Sequence, residues 1–316
     1  MNFELLSVRN LSVAFGDVQV TDNVCFNISS GEIFALMGES GCGKSVTAMA
    51  IPKLLPQPSA KIVSGEIILE GKNLLELPSK ALYEIRGKKI GCVFQEPMQA
   101  LNPVVSIGTQ LLEAVRFMPK EKRLKRIKEL LTKAEFKDPE RILKSYPHEM
   151  SGGMLQRIVI CIALAPKPSL VIADEPTTAL DANIQTAVMD ILKSMCKSEN
   201  AAMLLITHNA HLAAKYADRI AVMYAGQIAE TGKTSEVFNT PKHPYTKALL
   251  KVVPAKGKTL ADLKPIPGSV LSPKDFDKGC RFRFRCEFVK GECDKLGYGV
   301  WGMGRMRIGV LVFYDS

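Results

Sequence analysis

Apolar residues fall in short runs whose spacing changes along the chain. Residues 5–15 alternate between apolar and polar, which predicts a half-buried strand, and Cys25 to Ile28 reads as a second one. Ile33 to Met37 is a continuous apolar run of the kind a fully buried strand carries. It leads into a glycine-rich turn and then a helix expected from about Lys44 to Leu55. Residues 66–69 and 90–94 read as further strands, and the pattern from Pro97 to Ala165 is helical. Leu170 to Ala173 and Met203 to Ile206 are two more buried-strand runs, each followed by polar residues. Ile220 to Met223 and Gln227 to Glu230 flank Ala225-Gly226 and predict a hairpin.

Strands that alternate with helices indicate an α/β sheet, into which the long helical stretch is inserted as a subdomain. No internal repeat is visible. Beyond about Thr240 the chain turns rich in proline and lysine, which marks an appendage outside the core.

Composition alters this picture little. The chain has 316 residues, 47% apolar and 23% charged, as expected of a globular protein with a sizeable core. The longest uncharged apolar run, Ile158 to Pro166, is far short of the roughly 18 residues a membrane-spanning helix needs. The first ten residues carry an acid early and have no long apolar segment, so no secretory signal is expected. The net charge of +10 is partly concentrated between Arg116 and Lys144. A surface for nucleic acid or anionic lipid is one reading of that stretch, and a solvated helical face is the simpler one. Of eight cysteines, Cys25, Cys42, Cys92, Cys161 and Cys196 are scattered, mostly in apolar runs, as suits reduced thiols in a cytoplasmic protein.

Chemistry enters at residues 38–45, Gly38-Glu39-Ser40-Gly41-Cys42-Gly43-Lys44-Ser45, which fit G-x-x-x-x-G-K-[ST]. The glycines let the backbone curl so that its N–H groups face phosphate oxygens. The following helix presents its positive end to the same anion. Lys44 would reach the β- and γ-phosphates, and the Ser45 hydroxyl would ligate Mg²⁺. A chance glycine turn is the alternative, but a buried strand before the loop and a helix after it favour the phosphate role.

The apolar strand ending Asp174-Glu175 is the second chemical feature. Asp174 at a strand tip can hold Mg²⁺, and Glu175 is placed to polarise an attacking water as general base. Gln95 and His208 end the apolar runs Val93-Phe94 and Leu204 to Thr207 in the same way. The amide is suited to Mg²⁺ or its water, and the imidazole to the γ-phosphate. A strand-capping glutamine and a surface histidine remain the bland readings of the two.

With these residues in place, the chain resembles the ABC-type ATPases. Met150-Ser151-Gly152-Gly153-Met154-Leu155-Gln156-Arg157 looks like their signature motif, and Thr178-Ala179-Leu180-Asp181 resembles their D-loop. The resemblance implies a P-loop NTPase, ABC-type nucleotide-binding domain with an inserted helical subdomain and a C-terminal extension. Its expected divisions are 1–96 and 166–240 for the ATPase core, 97–165 for the helical signature subdomain and 241–316 for the extension. It assigns adenine stacking to Phe15 and phosphate-loop contacts to Gly38, Glu39, Ser40, Gly41, Cys42, Gly43, Lys44, Ser45 and Val46. Ser151, Gly152, Gly153 and Asp181 would meet the nucleotide across a head-to-tail pair of such domains. Glu175, His208 and Gln95 are the implied catalytic group, with Ser45, Gln95 and Asp174 around Mg²⁺.

The match narrows at Phe94-Gln95-Glu96-Pro97-Met98-Gln99-Ala100-Leu101-Asn102-Pro103, which is similar to ATP-binding subunits of dipeptide and oligopeptide importers. Met154 within the signature and the stretch His243-Pro244-Tyr245-Thr246-Lys247-Ala248-Leu249-Leu250 carry the same likeness, as do Pro265 to Gly268 and Gly279-Cys280. That branch implies ATP hydrolysis at the inner membrane face, coupled to two membrane permease subunits. It also implies a second related ATPase subunit, an extracytoplasmic solute-binding protein acting indirectly, and no nucleic acid. Nickel or another small solute is the alternative cargo. A soluble ABC ATPase and a non-hydrolysing regulator are the readings from other classes.

Cys280, Cys286 and Cys293 match the spacing of the branch's extension, where a fourth cysteine completes a set able to hold an iron–sulfur cluster or zinc. This chain has no cysteine after Cys293, so a degenerate site is expected, and Gly297 to Ser316 does not align. The interleaved Arg281-Phe282-Arg283-Phe284-Arg285 offers a nucleic-acid reading, against which a short β-like edge is the simpler expectation.

Overall fold

The computed structural model describes residues 3–178, 180–251, 266–276, 279–294, 301–303 and 306–308. Ala179 of the expected D-loop, Pro265, and most of Gly297 to Ser316 lie outside the described residues. The chain divides into two compact units. One comprises residues 1–5, 29–32 and 76–204, and the other residues 6–28, 33–75 and 205–316.

The second unit begins with the long strands β1 (Glu4–Phe15) and β2 (Val18–Ser29), followed by β3 (Ile33–Met37) and helix α1 (Lys44–Ala50). Strands β4 (Ala60–Leu69) and β5 (Lys72–Asn73) complete a four-stranded sheet in the order β2-β1-β4-β5. The β1–β4 ladder slips between Arg9 and Ser12, where Asn10 takes a φ of 49°. Gly65 faces that bulge, and a Cβ there would lie 2.6 Å from the Arg9 carbonyl oxygen. Helix α1 is shorter than the sequence pattern suggests: Ile51 still has helical geometry, but Pro52 lacks the N–H to continue the ladder.

The first unit contains α2 (Ser79–Ile85), β6 (Ile90–Val93), α3 (Pro97–Ala100), α4 (Ile107–Ala114), α5 (Lys120–Lys133), α6 (Pro139–Lys144) and α7 (Gly152–Leu164). Then come β7 (Leu170–Asp174) and α8 (Ala182–Ser198). Strands β6 and β7 pair in parallel, from Ile90 opposite Leu170 to Val93 opposite Ala173. The basic stretch is largely the solvated face of α5, whose inner side buries Arg126, Ile127, Leu130 and Leu131. Arg126 is neutralised by Glu199 at 2.8 Å, and its remaining N–H groups donate to the Leu164 and Ala165 carbonyls.

Strand β8 (Ala202–Thr207) is where the division between the units falls. The second unit resumes with α9 (Ala210–Tyr216), β9 (Arg219–Tyr224), β10 (Gln227–Lys233), α10 (Thr234–Asn239) and α11 (Pro244–Lys251). A short pair, β11 (Trp301–Met303) and β12 (Met306–Ile308), follows. Strand β9 runs parallel to β3 and antiparallel to β10. Ala225 and Gly226, with φ of 45° and 84°, make the two-residue hairpin turn the sequence predicts.

The extension packs on this sheet rather than standing apart from it. Tyr245 and Phe282 are buried in one apolar cluster with Ala35, Met37, Val222 and Tyr224. Residues 281–285 do not form the β-like edge expected from their alternation. They make a turn and a short 3₁₀ helix, Arg283–Arg285, because all three arginines turn inward to carboxylates.

Candidate functional site

In the second unit, β3 delivers the chain into the loop Gly38–Gly43, and α1 begins at Lys44. Two glycines are sterically obligatory. A Cβ at Gly38 would sit 2.2 Å from the Met223 carbonyl oxygen. Gly43 has a φ of 103°, and a Cβ there would lie 2.9 Å from the Met223 methyl and 3.0 Å from Thr21. The loop therefore lies pressed against the end of β9 and the first part of β2. The Gly226 N–H donates to the Cys42 carbonyl at 2.8 Å and fixes it from the hairpin side.

Lys44 is buried, and its Nζ donates to the carbonyls of Gly38 and Glu39, both at 2.9 Å. The ammonium thus lies within the curl of the loop. Ser45 is exposed and Val46 half-buried at the start of α1. Cys42 faces the core, not the loop's mouth. Burial pushes its thiol pKa up although Lys44 is nearby. Any contribution of Cys42 to anion binding is therefore made by its backbone, and facile alkylation is not expected. Phe15, half-buried, ends β1. His208 is exposed directly after β8, where the Asn209 side chain accepts from the N–H groups of His211 and Leu212 and starts α9.

The first unit holds the other candidates. Asp174 ends β7, and Glu175 follows with a φ of 45°. Left-handed backbone at a non-glycine residue is strained, and such strain persists only where the surroundings enforce it. Thr178 Oγ1 donates to Glu175 Oε2 at 2.8 Å, so the carboxylate is held after the turn. Asp181 caps α8 by accepting from the Ile184 N–H at 3.0 Å.

Ser151 caps α7 through its Oγ, which accepts from the Met154 N–H. Gly153 is a close approach, since a Cβ would lie 2.8 Å from Ile184 of α8. Gly152 and the helix N-terminus remain open to solvent. Gln95 is exposed one residue beyond Phe94, whose carbonyl is anchored by Gln156 Nε2 at 3.3 Å. Gln95, Gly152, Thr177 and Leu180 share the lining of a mainly apolar cavity of about 240 Å³ with Pro97 and Met98. Glutamine, signature glycine and D-loop turn are thereby brought together within one unit.

The thiols fit a structural role. Burial raises Cys161 and Cys196 to about 12, and burial together with Asp174 does the same for Cys92. Cys280, Cys286 and Cys293 do not converge as a ligand set. Among the described residues no three His, Cys, Asp or Glu side chains gather around a point a metal ion would occupy. The Arg281, Arg283 and Arg285 side chains engage Asp22, Asp294 and Glu39, which takes them out of any nucleic-acid face.

Supports of the phosphate loop were not visible as such in the sequence. The Glu39 N–H donates to the Tyr245 hydroxyl, and Arg285 forks onto the Glu39 carboxylate. These partners are 206 and 246 positions from Glu39, so no local spacing announces them.

Comparison with known proteins agrees with this layout. Residues 21–178 match the ABC transporter family, and residues 229–293 match the oligopeptide/dipeptide transporter C-terminal region. The dipeptide transport ATP-binding protein DppD of Bacillus subtilis is 44% identical over 300 residues, 93% of this chain and 90% of that protein. The oligopeptide transport ATP-binding protein OppD of the same organism is 44% identical over 90% of this chain and 82% of its own length. Among solved structures, the dimeric ATP-binding cassette MJ0796 bound to ADP and Pi superposes with a TM-score of 0.63 at 30% identity, over 73% of this chain and 99% of that one. The cbiO1 subunit of the Clostridium perfringens transporter complex cbiONQ gives 0.67 at 27% identity, over 75% and 92%.

Proposed function

The chain belongs to the ABC transporter family as an ATP-binding, ATP-hydrolysing subunit, and from that premise we propose that it drives import of di- or oligopeptides. The observation that carries the peptide assignment is the C-terminal extension. Its residues 229–293 match the oligopeptide/dipeptide region, and His243 and Tyr245 are built into the core beside the phosphate loop.

In this reading the loop from Gly38 to Val46 wraps the triphosphate, with Lys44 on the β- and γ-phosphates and Phe15 against adenine. Ser45, Gln95 and Asp174 offer a hydroxyl, an amide and a carboxylate, hard oxygen donors that suit Mg²⁺. Bound there, the ion would neutralise charge on the phosphates. Glu175 takes the proton of the attacking water, and His208 holds the γ-phosphate and that water in line. Ser151, Gly152 and Gly153 at the N-terminus of α7, with Asp181, serve the nucleotide of a second, related ATPase subunit. Closure of the two subunits is transmitted to two permease subunits, and a solute-binding protein delivers peptide from outside. The chain acts peripherally, at the inner face of the membrane. Among the described residues no helix is long and apolar enough to cross it.

Purification of the tagged protein from detergent-solubilised native membranes tests this assembly. Co-purification of two permease subunits and a second ATPase is the expected result. Recovery of ribosomal or DNA-repair proteins in their place would refute the transport role and leave the ATPase site intact.

A further inference from the structure

We infer that Arg285 of the C-terminal extension is a positioning residue for ATP, and that it acts through Glu39 of the phosphate loop. The extension is built as a clamp on this loop. Arg285 Nη1 and Nη2 donate to Glu39 Oε2 and Oε1 at 2.9 and 3.1 Å, a bidentate fork. The Arg285 side chain is only 5% exposed and that of Glu39 27%, so solvent screens the pair poorly. The guanidinium is itself fixed. Its Nε donates to the Pro267 carbonyl at 2.7 Å, Nη2 reaches the Ile266 carbonyl at 3.3 Å, and Nη1 reaches the Tyr224 hydroxyl at 3.4 Å. Beside it, Tyr245 accepts from the Glu39 N–H. Two separate parts of the extension therefore grip one residue of the loop.

The charge of Glu39 gives this grip a function. A carboxylate in a loop that binds a triphosphate repels its own ligand unless it is neutralised. Arg285 cancels the charge and turns the side chain back toward the extension, leaving the loop's amides and Lys44 to face phosphate. The extension thereby gains control over nucleotide affinity, since any displacement of residues 266–285 uncovers an anion at the phosphate site. This inference rests on the loop being the ATP site.

The test is ATP binding by the full-length chain with a fluorescent ATP analogue, together with the KM and kcat of hydrolysis in the assembled transporter. Arg285→Met is expected to raise the Kd and the KM about tenfold with kcat little changed, more strongly at low salt. The double variant Glu39→Gln with Arg285→Met is expected to recover affinity, because the uncovered charge is gone. Arg285→Lys keeps the charge without the fork and should lie between. A merely structural role predicts no rescue by Glu39→Gln, and that outcome overturns the inference, as does an unchanged Kd in Arg285→Met. If Arg285→Met does not fold, the same comparison runs between Arg285→Lys with and without Glu39→Gln. Failure of the wild-type chain to bind the analogue would refute the nucleotide site itself, and the inference with it.

Discussion

The backbone N–H of Glu39 donates at 3.0 Å to the hydroxyl of Tyr245, a residue 206 positions away and wholly buried. Tyr245 also packs its ring at 4.6 Å from Tyr224 and 5.3 Å from Phe282. Tyr245→Phe keeps that packing and leaves the Glu39 N–H without this acceptor. The expected cost is about 1–2 kcal/mol, read as a lower Tm in denaturation, with a larger loss of ATP-induced stabilisation than of the ligand-free Tm.

Glu175→Gln tests the general-base role proposed for Glu175. Glu175→Gln keeps the size of the side chain but not its basicity. Hydrolysis in the assembled transporter should fall by about 10²-fold or more, while ATP binding remains near wild type. A variant that loses binding and hydrolysis together would assign Glu175 a structural task.

His243 makes stability depend on pH. Burial holds its pKa down at about 4, against 6.5 for the free side chain, and its Nδ1 accepts from the Tyr245 N–H. The unfolded chain therefore binds the proton that the folded one refuses. The contribution of neutral His243 is full above pH 6.5 and is lost as the pH falls from there toward 4. The loss is on the order of 3 kcal/mol. Chemical denaturation between pH 7.5 and 5 should show this decline, and His243→Phe should flatten it.

Arg126 and Glu199 form a buried ion pair, 5% and 6% exposed, to which Lys133 adds a second cation at 2.8 Å. Arg126→Ala leaves the Glu199 carboxylate to Lys133 alone and takes the donor from the Leu164 and Ala165 carbonyls, and about 1–3 kcal/mol of stability should disappear. Urea denaturation measures it directly. Replacing both partners by apolar residues should cost less than replacing Arg126 alone.

The local parts of the site were legible in the sequence because they are contiguous. A buried strand, a glycine turn and a helix start are all written within residues 33–50, and the structure has β3, that loop and α1 in order. The β9–β10 hairpin was equally local, since Ala225-Gly226 supplies the positive φ its turn demands. What resisted reading depends on distance. Nothing near Arg285 tells that its partner is Glu39, and the period of two in residues 281–285 suggested a strand. Three buried arginine side chains, each paired with a carboxylate, outweigh that period, and the segment folds into a turn and a short 3₁₀ helix. Cys42 shows the same limit, since its place in a glycine-rich loop does not tell that its side chain points into the core.

Uptake of a labelled dipeptide by cells carrying Lys44→Ala in the chromosomal copy, beside uptake of nickel ion, tests the central claim most directly. Dipeptide uptake falling to background with nickel uptake unchanged is the predicted result. Normal dipeptide uptake in cells dependent on the variant would contradict the account.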